Sequence, residues 1–260
     1  MNLNITGKSA IICASSRGLG KACAISLAKN GVNVYINGRD KNKLESTKNE
    51  ITSLSNSVKI EAICCDISTK EGREKILNIC PDPDILINNN GGPPFKDFRD
   101  IDNEAMLNGL NMNMITPIEF VQSVIDGMIN RKFGRIVNIT SVSVKRPVIG
   151  LDLSSGARAG LTAFLSGVAR SVAEHNVTIN NILPGFFNTD RLRQGVNSTA
   201  KLSNENSNIV ANRMKSSVPA KRFGEPDEFG EVCAFLCSEQ AGYITAQNIL
   251  LDGGLFDSSF

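Results

Sequence analysis

The stretch Ser9-Ala10-Ile11-Ile12-Cys13-Ala14, running into Ser15-Ser16-Arg17-Gly18-Leu19-Gly20, decides how this chain is read. An apolar run of strand length ends in a glycine-rich loop. From near Lys21, apolar residues then recur at three- and four-residue spacing (Ala22, Ile25, Ala28), the period of a helix. Glycines let a backbone approach a pyrophosphate closely, and the open N–H groups and positive dipole end of the helix attract it. A glycine pattern alone says little. This one follows the first strand, opens the first helix and precedes a second βα unit, the context that a dinucleotide loop requires.

Outward from that loop the alternation continues. Ser9–Ala14, 32–37, 59–64, 85–88, 135–140, 177–183 and 248–251 read as seven strands. Most gaps between them carry helix-period apolar residues, as in Leu161, Leu165, Val168 and Val172. Repeated βα units predict a Rossmann-type doubly wound parallel sheet with helices on both faces, in one domain over residues 1–260. Ligands in such sheets bind beyond the carboxyl ends of the strands. The one irregular stretch, 190–218, is rich in Asn and Ser and reads as a substrate lid or as a solvated helix pair.

Composition narrows the function classes. A net charge of +2 argues against nucleic acid and against a membrane surface as partner. With no signal-like opening and no membrane-length apolar run, a cytosolic location is expected. One histidine and seven scattered cysteines make a metal site unexpected. Cys64 and Cys65 read as buried thiols, and His175 as a surface residue.

The second strand ends in Asn37-Gly38-Arg39-Asp40. An NAD site usually places an acid there for the ribose 2′-hydroxyl. Asn37 is uncharged, and Arg39 and Arg17 favour a 2′-phosphate, so NADP(H) is the expected cofactor. The bland alternative is a solvated Arg39, with Asp40 capping the next helix.

At this point the sequence resembles the short-chain dehydrogenase/reductase family, in a divergent branch similar to the β-ketoacyl-carrier-protein reductases. The likeness spans nearly the whole chain. Ala14, Ser16, Arg17, Gly18, Leu19 and Gly20 match the family's glycine loop, with alanine at the first glycine position. Asp66 and Ile67 match its adenine-contacting segment, and Asn89 and Gly91 its Asn-Asn-Ala-Gly turn. Pro184, Gly185 and Thr189 match its Pro-Gly-x-x-x-Thr segment. These positions are the cofactor contacts that the resemblance implies, together with Arg39 and Arg158. It also implies a small carbonyl or alcohol substrate and a homo-oligomer, tetramer or dimer.

The family's active site combines an asparagine, a serine, a tyrosine and a lysine. Asn113 and Ser141, 28 residues apart, fit the first two. The tyrosine position is Ser154 and the lysine position Arg158, in a register that Ala159-Gly160-Leu161 secures. The chain's two tyrosines, Tyr35 and Tyr243, lie far from that position. A serine is shorter and less acidic than a phenol, and losing general acid catalysis costs about 10²–10⁴ in rate. Lys145 is either a substitute acid or part of a solvent-facing basic loop, and Asp152 reads as a helix cap. Two function classes follow: an NADP(H)-dependent oxidoreductase with an altered proton route, or a nucleotide-binding sensor or oligomer partner that has lost the chemistry. A third reading, acyl-chain binding, rests on Ile209, Val210 and Met214 in the 190–218 stretch.

Overall fold

The computed structural model describes residues 1–93 and 95–258. Among these, the strands are β1 (Ser9–Ile12), β2 (Asn33–Gly38), β3 (Ile60–Cys64), β4 (Ile85–Asn88), β5 (Gly134–Ile139), β6 (Val177–Pro184) and β7 (Asn248–Leu251). The helices are α1 (Gly18–Lys29), α2 (Lys41–Leu54), α3 (Lys70–Ile79), α4 (Asn103–Leu110), α5 (Thr116–Asn130), α6 (Asp152–Val172), α7 (Asp190–Ser203), α8 (Ser207–Ser217) and α9 (Pro226–Leu236). The seven strands make one parallel sheet in the order β3-β2-β1-β4-β5-β6-β7. The chain winds outward from β1 to β3, returns to place β4 beside β1, and winds outward again. That reversal leaves a crevice at the carboxyl ends of β1 and β4.

Side chains alternate between the two faces of each strand. Ala10 and Ile12 of β1 join α1, α2 and α9 in one apolar layer, and Ile11 joins α3, α5 and α6 in the other. Both faces are covered, which is why the strands read as continuous apolar runs.

Four strands carry a buried polar seam within this core. Asn88 Nδ2 donates to Asn138 Oδ1, Asn138 Nδ2 to Asn181 Oδ1, and Asn181 Nδ2 to Asn248 Oδ1, each at 2.9 Å. The four residues occupy matched positions on β4, β5, β6 and β7. A slip of one residue in any pair would strand amide groups in an apolar layer, so the seam holds the register. Arg135, 1% exposed, is a second polar anchor. Its guanidinium donates to the carbonyls of Ser238, Gly134 and Asn176 and to Asn176 Oδ1.

Several local expectations change. Helix α1 starts at Gly18 rather than near Lys21, because two glycines of poor helix propensity disguise its first turn. Leu151 is the N-cap of α6, and Asp152 is the first helical residue, making no capping bond; its charge instead complements the dipole. Asp40 does cap α2, accepting from Lys43 N–H at 3.1 Å. Cys64 and Cys65 are only half-buried, since β3 is an edge strand. Residues 190–218 form the helix pair α7–α8, which closes its few apolar residues on one another around Val196, Ala200 and Val210. Among the described residues no helix is long and apolar enough to cross a membrane.

The seam generates a stability prediction. Asn138→Leu leaves Asn181 Oδ1 without its partner and weakens the bonding of Asn88, at about 1–3 kcal/mol for each unsatisfied buried group. Urea unfolding should show a loss of about 2–4 kcal/mol. A loss below about 1 kcal/mol would mean that the seam contributes little.

Candidate active site

The glycine loop is built by bonds to strands on either side of β1. Ser15 Oγ donates to Ile12 O (2.7 Å) and accepts from Asn37 N–H (3.0 Å). Ala14 N–H donates to Asn37 Oδ1 (2.5 Å), and Ala14 O accepts from Asn89 Nδ2 (3.1 Å). Held this way, Ala14 has φ +45°, the left-handed region that costs a non-glycine residue about 1–2 kcal/mol. A Cβ on Gly20 would lie 2.7 Å from Ala14 O and 2.8 Å from Asn89 Nδ2, so only glycine lets the helix start this close to the loop. Arg17 at the N-cap offers no side-chain bond to the first turn of α1, whose N–H groups remain open to an anion.

A cleft of about 470 Å³ opens over this loop. Ala14, Ser16, Arg17, Gly18, Leu19, Arg39, Asp66, Ile67, Asn89, Gly91 and Thr189 of the expected cofactor contacts all line it. Gly20, Pro184, Gly185 and Arg158 do not. Gly185 has a packing reason instead: a Cβ there would lie 2.7 Å from Asp252 Cβ.

The end of β2 works differently from the sequence reading. Asn37 is 2% exposed, and its amide is committed to Ala14 N–H and to Cys65 O (3.2 Å), so it is a structural clamp. The residue that decides the adjoining space is Gly38. A Cβ there would meet Ser16 Oγ at 2.8 Å, which leaves no room for an acidic side chain. Three cations surround this end of the cleft: Arg17, Arg39 and Lys43. Each rests against a carboxylate, Arg17 on Asp190 (3.9 Å), Arg39 on Asp66 (3.6 Å) and Lys43 on Asp40 (3.3 Å). Partial burial opposes ionisation of Asp66, but bonds from Ser68 N–H and Oγ and the charge of Arg39 outweigh it and hold the carboxyl below its ordinary range. The loop, the helix N-terminus and the cations fit a dinucleotide with an additional phosphate on its adenosine ribose.

Asn113, Ser141, Ser154 and Arg158 lie outside the lining of that cleft, on the elements after β4 and β5. Between α4 and α5 the backbone widens into a π-helical turn, Asn111–Ile115. This turn carries Asn113, 2% exposed, whose Nδ2 donates to Gly109 O (3.3 Å) while its buried Oδ1 has no partner among the described residues. Such turns interrupt helices mostly at functional sites. Ser141 Oγ accepts from Ser143 N–H (3.1 Å), capping the short turn Val142–Val144 that follows β5. Ser154 and Arg158 stand one turn apart on α6 and are bonded to each other, Arg158 Nε donating to Ser154 Oγ at 3.1 Å. Arg158 Nη1 donates to Ile139 O at 2.6 Å. Burial, and after it the charge of Arg191, pushes the Arg158 guanidinium down to about 10. Lys145 is exposed, with Nζ 5.5 Å from the Phe256 ring, so it belongs to a solvent-facing loop. His175 is likewise peripheral, 3.5 Å from Glu174.

The sequence reading missed Gly38, Lys43, Cys65, Arg191 and Gln194, which also line the cleft. Gly38 carried a signal, a glycine closing a buried strand. Arg191 carried none, because its guanidinium reaches Gly92 O and Pro93 O across nearly a hundred residues of sequence.

Together the sheet, the loop and the cleft define a Rossmann-type dinucleotide-binding domain with a buried hydroxyl–guanidinium pair near the expected reaction site. A family model described as enoyl-(acyl carrier protein) reductase matches residues 13–256. The chain belongs to this family of short-chain dehydrogenases/reductases. It is similar to the 3-oxoacyl-[acyl-carrier-protein] reductase FabG of Aquifex aeolicus, 33% identical over 98% of this chain and 100% of the relative. It is also similar to the NADPH-dependent reductase BacG of Bacillus subtilis, 31% identical over 96% and 98%. Among solved structures, YwfH, an NADPH-dependent reductase involved in bacilysin biosynthesis, superposes with a TM-score of 0.91 at 31% identity over 96% of this chain and 99% of that one. L-sorbose reductase of Gluconobacter frateurii, complexed with NADPH and L-sorbose, gives 0.92 at 25% identity over 99% and 100%.

The strained loop residue is testable directly. Ala14→Gly relieves about 1–2 kcal/mol of left-handed strain and gives back about 0.5–1 kcal/mol through the freer unfolded chain. Chemical denaturation should show a net gain of up to about 1.5 kcal/mol, whereas an unstrained alanine would make the change destabilising.

Proposed function

We propose that this protein is an NADP(H)-dependent oxidoreductase interconverting a carbonyl and an alcohol, with Ser154 and Arg158 in place of the family's tyrosine and lysine. The observation that carries this reading is the buried, bonded pair Ser154–Arg158. At the positions of the family's tyrosine and lysine, a hydroxyl and a cation are retained and bonded to each other, Arg158 Nε donating to Ser154 Oγ. The similarity to NADPH-dependent and 3-oxoacyl reductases supports the same class.

When bound, the cofactor supplies or accepts the hydride. The open N–H groups of α1 bind its pyrophosphate, and Arg17, Arg39 and Lys43 hold the ribose phosphate. Ser141 donates its hydroxyl hydrogen to the substrate oxygen. Ser154 Oγ, fixed by Arg158 Nε–H, is too weak an acid to replace the phenol, so the proton for that oxygen comes from solvent. With a pKa of about 10, Arg158 stays charged at neutral pH and acts as a fixed electrostatic stabiliser rather than a relay. The α7 helix, attached through Asp190 to Arg17 and through Arg191 to the loop after β4, is the part of the 190–218 lid that closes on the cofactor.

Two measurements test this. Arg39→Ala should weaken NADPH binding about tenfold by calorimetry and leave NADH nearly unaffected, since a charge-assisted hydrogen bond is worth about 1.5–3 kcal/mol before solvent screening reduces it. Equal effects on both cofactors would remove Arg39 from the phosphate site. Ser154→Tyr with Arg158→Lys should raise carbonyl reduction by up to about 10²–10⁴, the range of general acid catalysis, and by more than the two single changes combined. If the wild type and the double variant both bind NADPH and neither oxidises it with any carbonyl, the protein is a nucleotide-binding one without the chemistry.

A further inference from the structure

The third asparagine of the run Asn88-Asn89-Asn90 stands where the family's turn after β4 has alanine. The three amides reach three different places. Asn88 Nδ2 donates to Asn138 Oδ1 in the seam, and Asn89 Nδ2 to Ala14 O in the glycine loop. Asn90 Nδ2 donates to Met112 O at 3.1 Å, inside the π-helical turn that carries Asn113, while its Oδ1 accepts from Gly91 N–H at 2.8 Å. Asn90 also lines the cofactor cleft, so one side chain joins the cleft wall to that turn.

Met112 O depends on this donor. In an α-helix it would accept from the N–H four residues on, and in a π-helix from the N–H five residues on. Thr116 N–H bonds to Asn111 O instead, and Pro117 has no N–H. Without Asn90, the unpaired carbonyl would favour the return of Thr116 N–H to an α-type bond. That exchange turns the preceding residues by about 100° around the axis relative to α5, the angle of one residue in an α-helix. The present register packs the turn onto α6 on both sides of Asn113. A Cβ on Gly109 would lie 3.5 Å from Leu153 Cβ, and one on Gly160 would lie 2.9 Å from Met114 Sδ. Asn113 sits between these contacts with Nδ2 bonded to Gly109 O, and Leu153 and Gly160 bracket Ser154 and Arg158 on α6. We propose that Asn90 is a positioning residue: its amide supplies the donor that Pro117 lacks, holds the wide register, and so keeps Asn113 on the face of the turn packed against α6. This inference rests on the oxidoreductase reading for what Asn113 does in turnover, but not for what holds the turn.

The experiment moves the missing donor from one residue to the other. Initial rates with NADPH and ethyl acetoacetate are measured for the wild type, Asn90→Ala, Pro117→Ala and the double variant, beside calorimetric binding of NADPH. Asn90→Ala should lower kcat by about three- to tenfold, within the range of one hydrogen bond, and change the Kd for NADPH by less than about twofold. Asn90→Asp keeps the acceptor for Gly91 N–H and loses the donor, so it should fail in the same way. Pro117→Ala gives residue 117 an N–H that can reach Met112 O. Alone it should leave the rate near that of the wild type, and with Asn90→Ala it should restore most of the lost kcat. A merely structural role for Asn90 in the cleft wall would not be rescued at position 117. Independently of turnover, hydrogen exchange over residues 109–118 should quicken about threefold or more in Asn90→Ala and Asn90→Asp, and return towards the wild-type rate in the double variant. Unchanged kcat in a protein that reduces the ester, or unchanged exchange, overturns the inference, as does a loss that Pro117→Ala fails to rescue. If Asn90→Ala weakens NADPH as much as it lowers kcat, Asn90 serves the cofactor and the inference falls. If no form oxidises NADPH with this ester or any other carbonyl tested, while exchange follows the stated order, the hold on the turn stands and the oxidoreductase reading fails.

Discussion

The amide chain from Asn88 through Asn138 and Asn181 to Asn248 is the constraint on which the rest of the molecule depends. The links run from near the carboxyl ends of β4 and β5 through the middle of β6 to the first residue of β7, tying four neighbouring strands into one register. Asn88 directly precedes Asn89, which fixes the glycine loop, and Asn138 precedes the segment leading to Ser141. A register error would therefore displace the cofactor loop relative to the reacting groups as well as expose unpaired amides. Apolar packing alone tolerates small slips. Amides buried between strands do not, because each missing bond costs a large part of its desolvation energy.

Around this frame the site concentrates features that a purely structural fold avoids. Ala14 sits in a strained conformation, Asn113 Oδ1 is buried without a described partner, and Arg158 is a guanidinium without a carboxylate. Ala14 lies on the loop after β1, Asn113 on the π-helical turn before α5 and Arg158 in the second turn of α6. Stability given up at a site and recovered in the core is the usual balance in enzymes. Arg135 provides the internal contrast, equally buried but with its donors matched to carbonyls, and placed at the amino end of β5 where no ligand is expected.

The sequence alone determined the strand–loop–helix opening, the seven strands and their parallel arrangement, and the residue types at positions 113, 141, 154 and 158. These are properties of local periodicity, of short motifs and of spacing along one segment, and they survive without knowledge of distant contacts. Tertiary structure decided the rest. Asn37 and Gly38 look equivalent at the end of a strand, yet one is consumed by Ala14 and Cys65 while the other faces Ser16. The left-handed Ala14, the π-helical turn at Asn113 and the arrival of Arg191 beside Gly92 each depend on partners tens of residues away. A single sequence cannot place these partners, because only the packed sheet determines which carbonyls and amides remain for each side chain to meet.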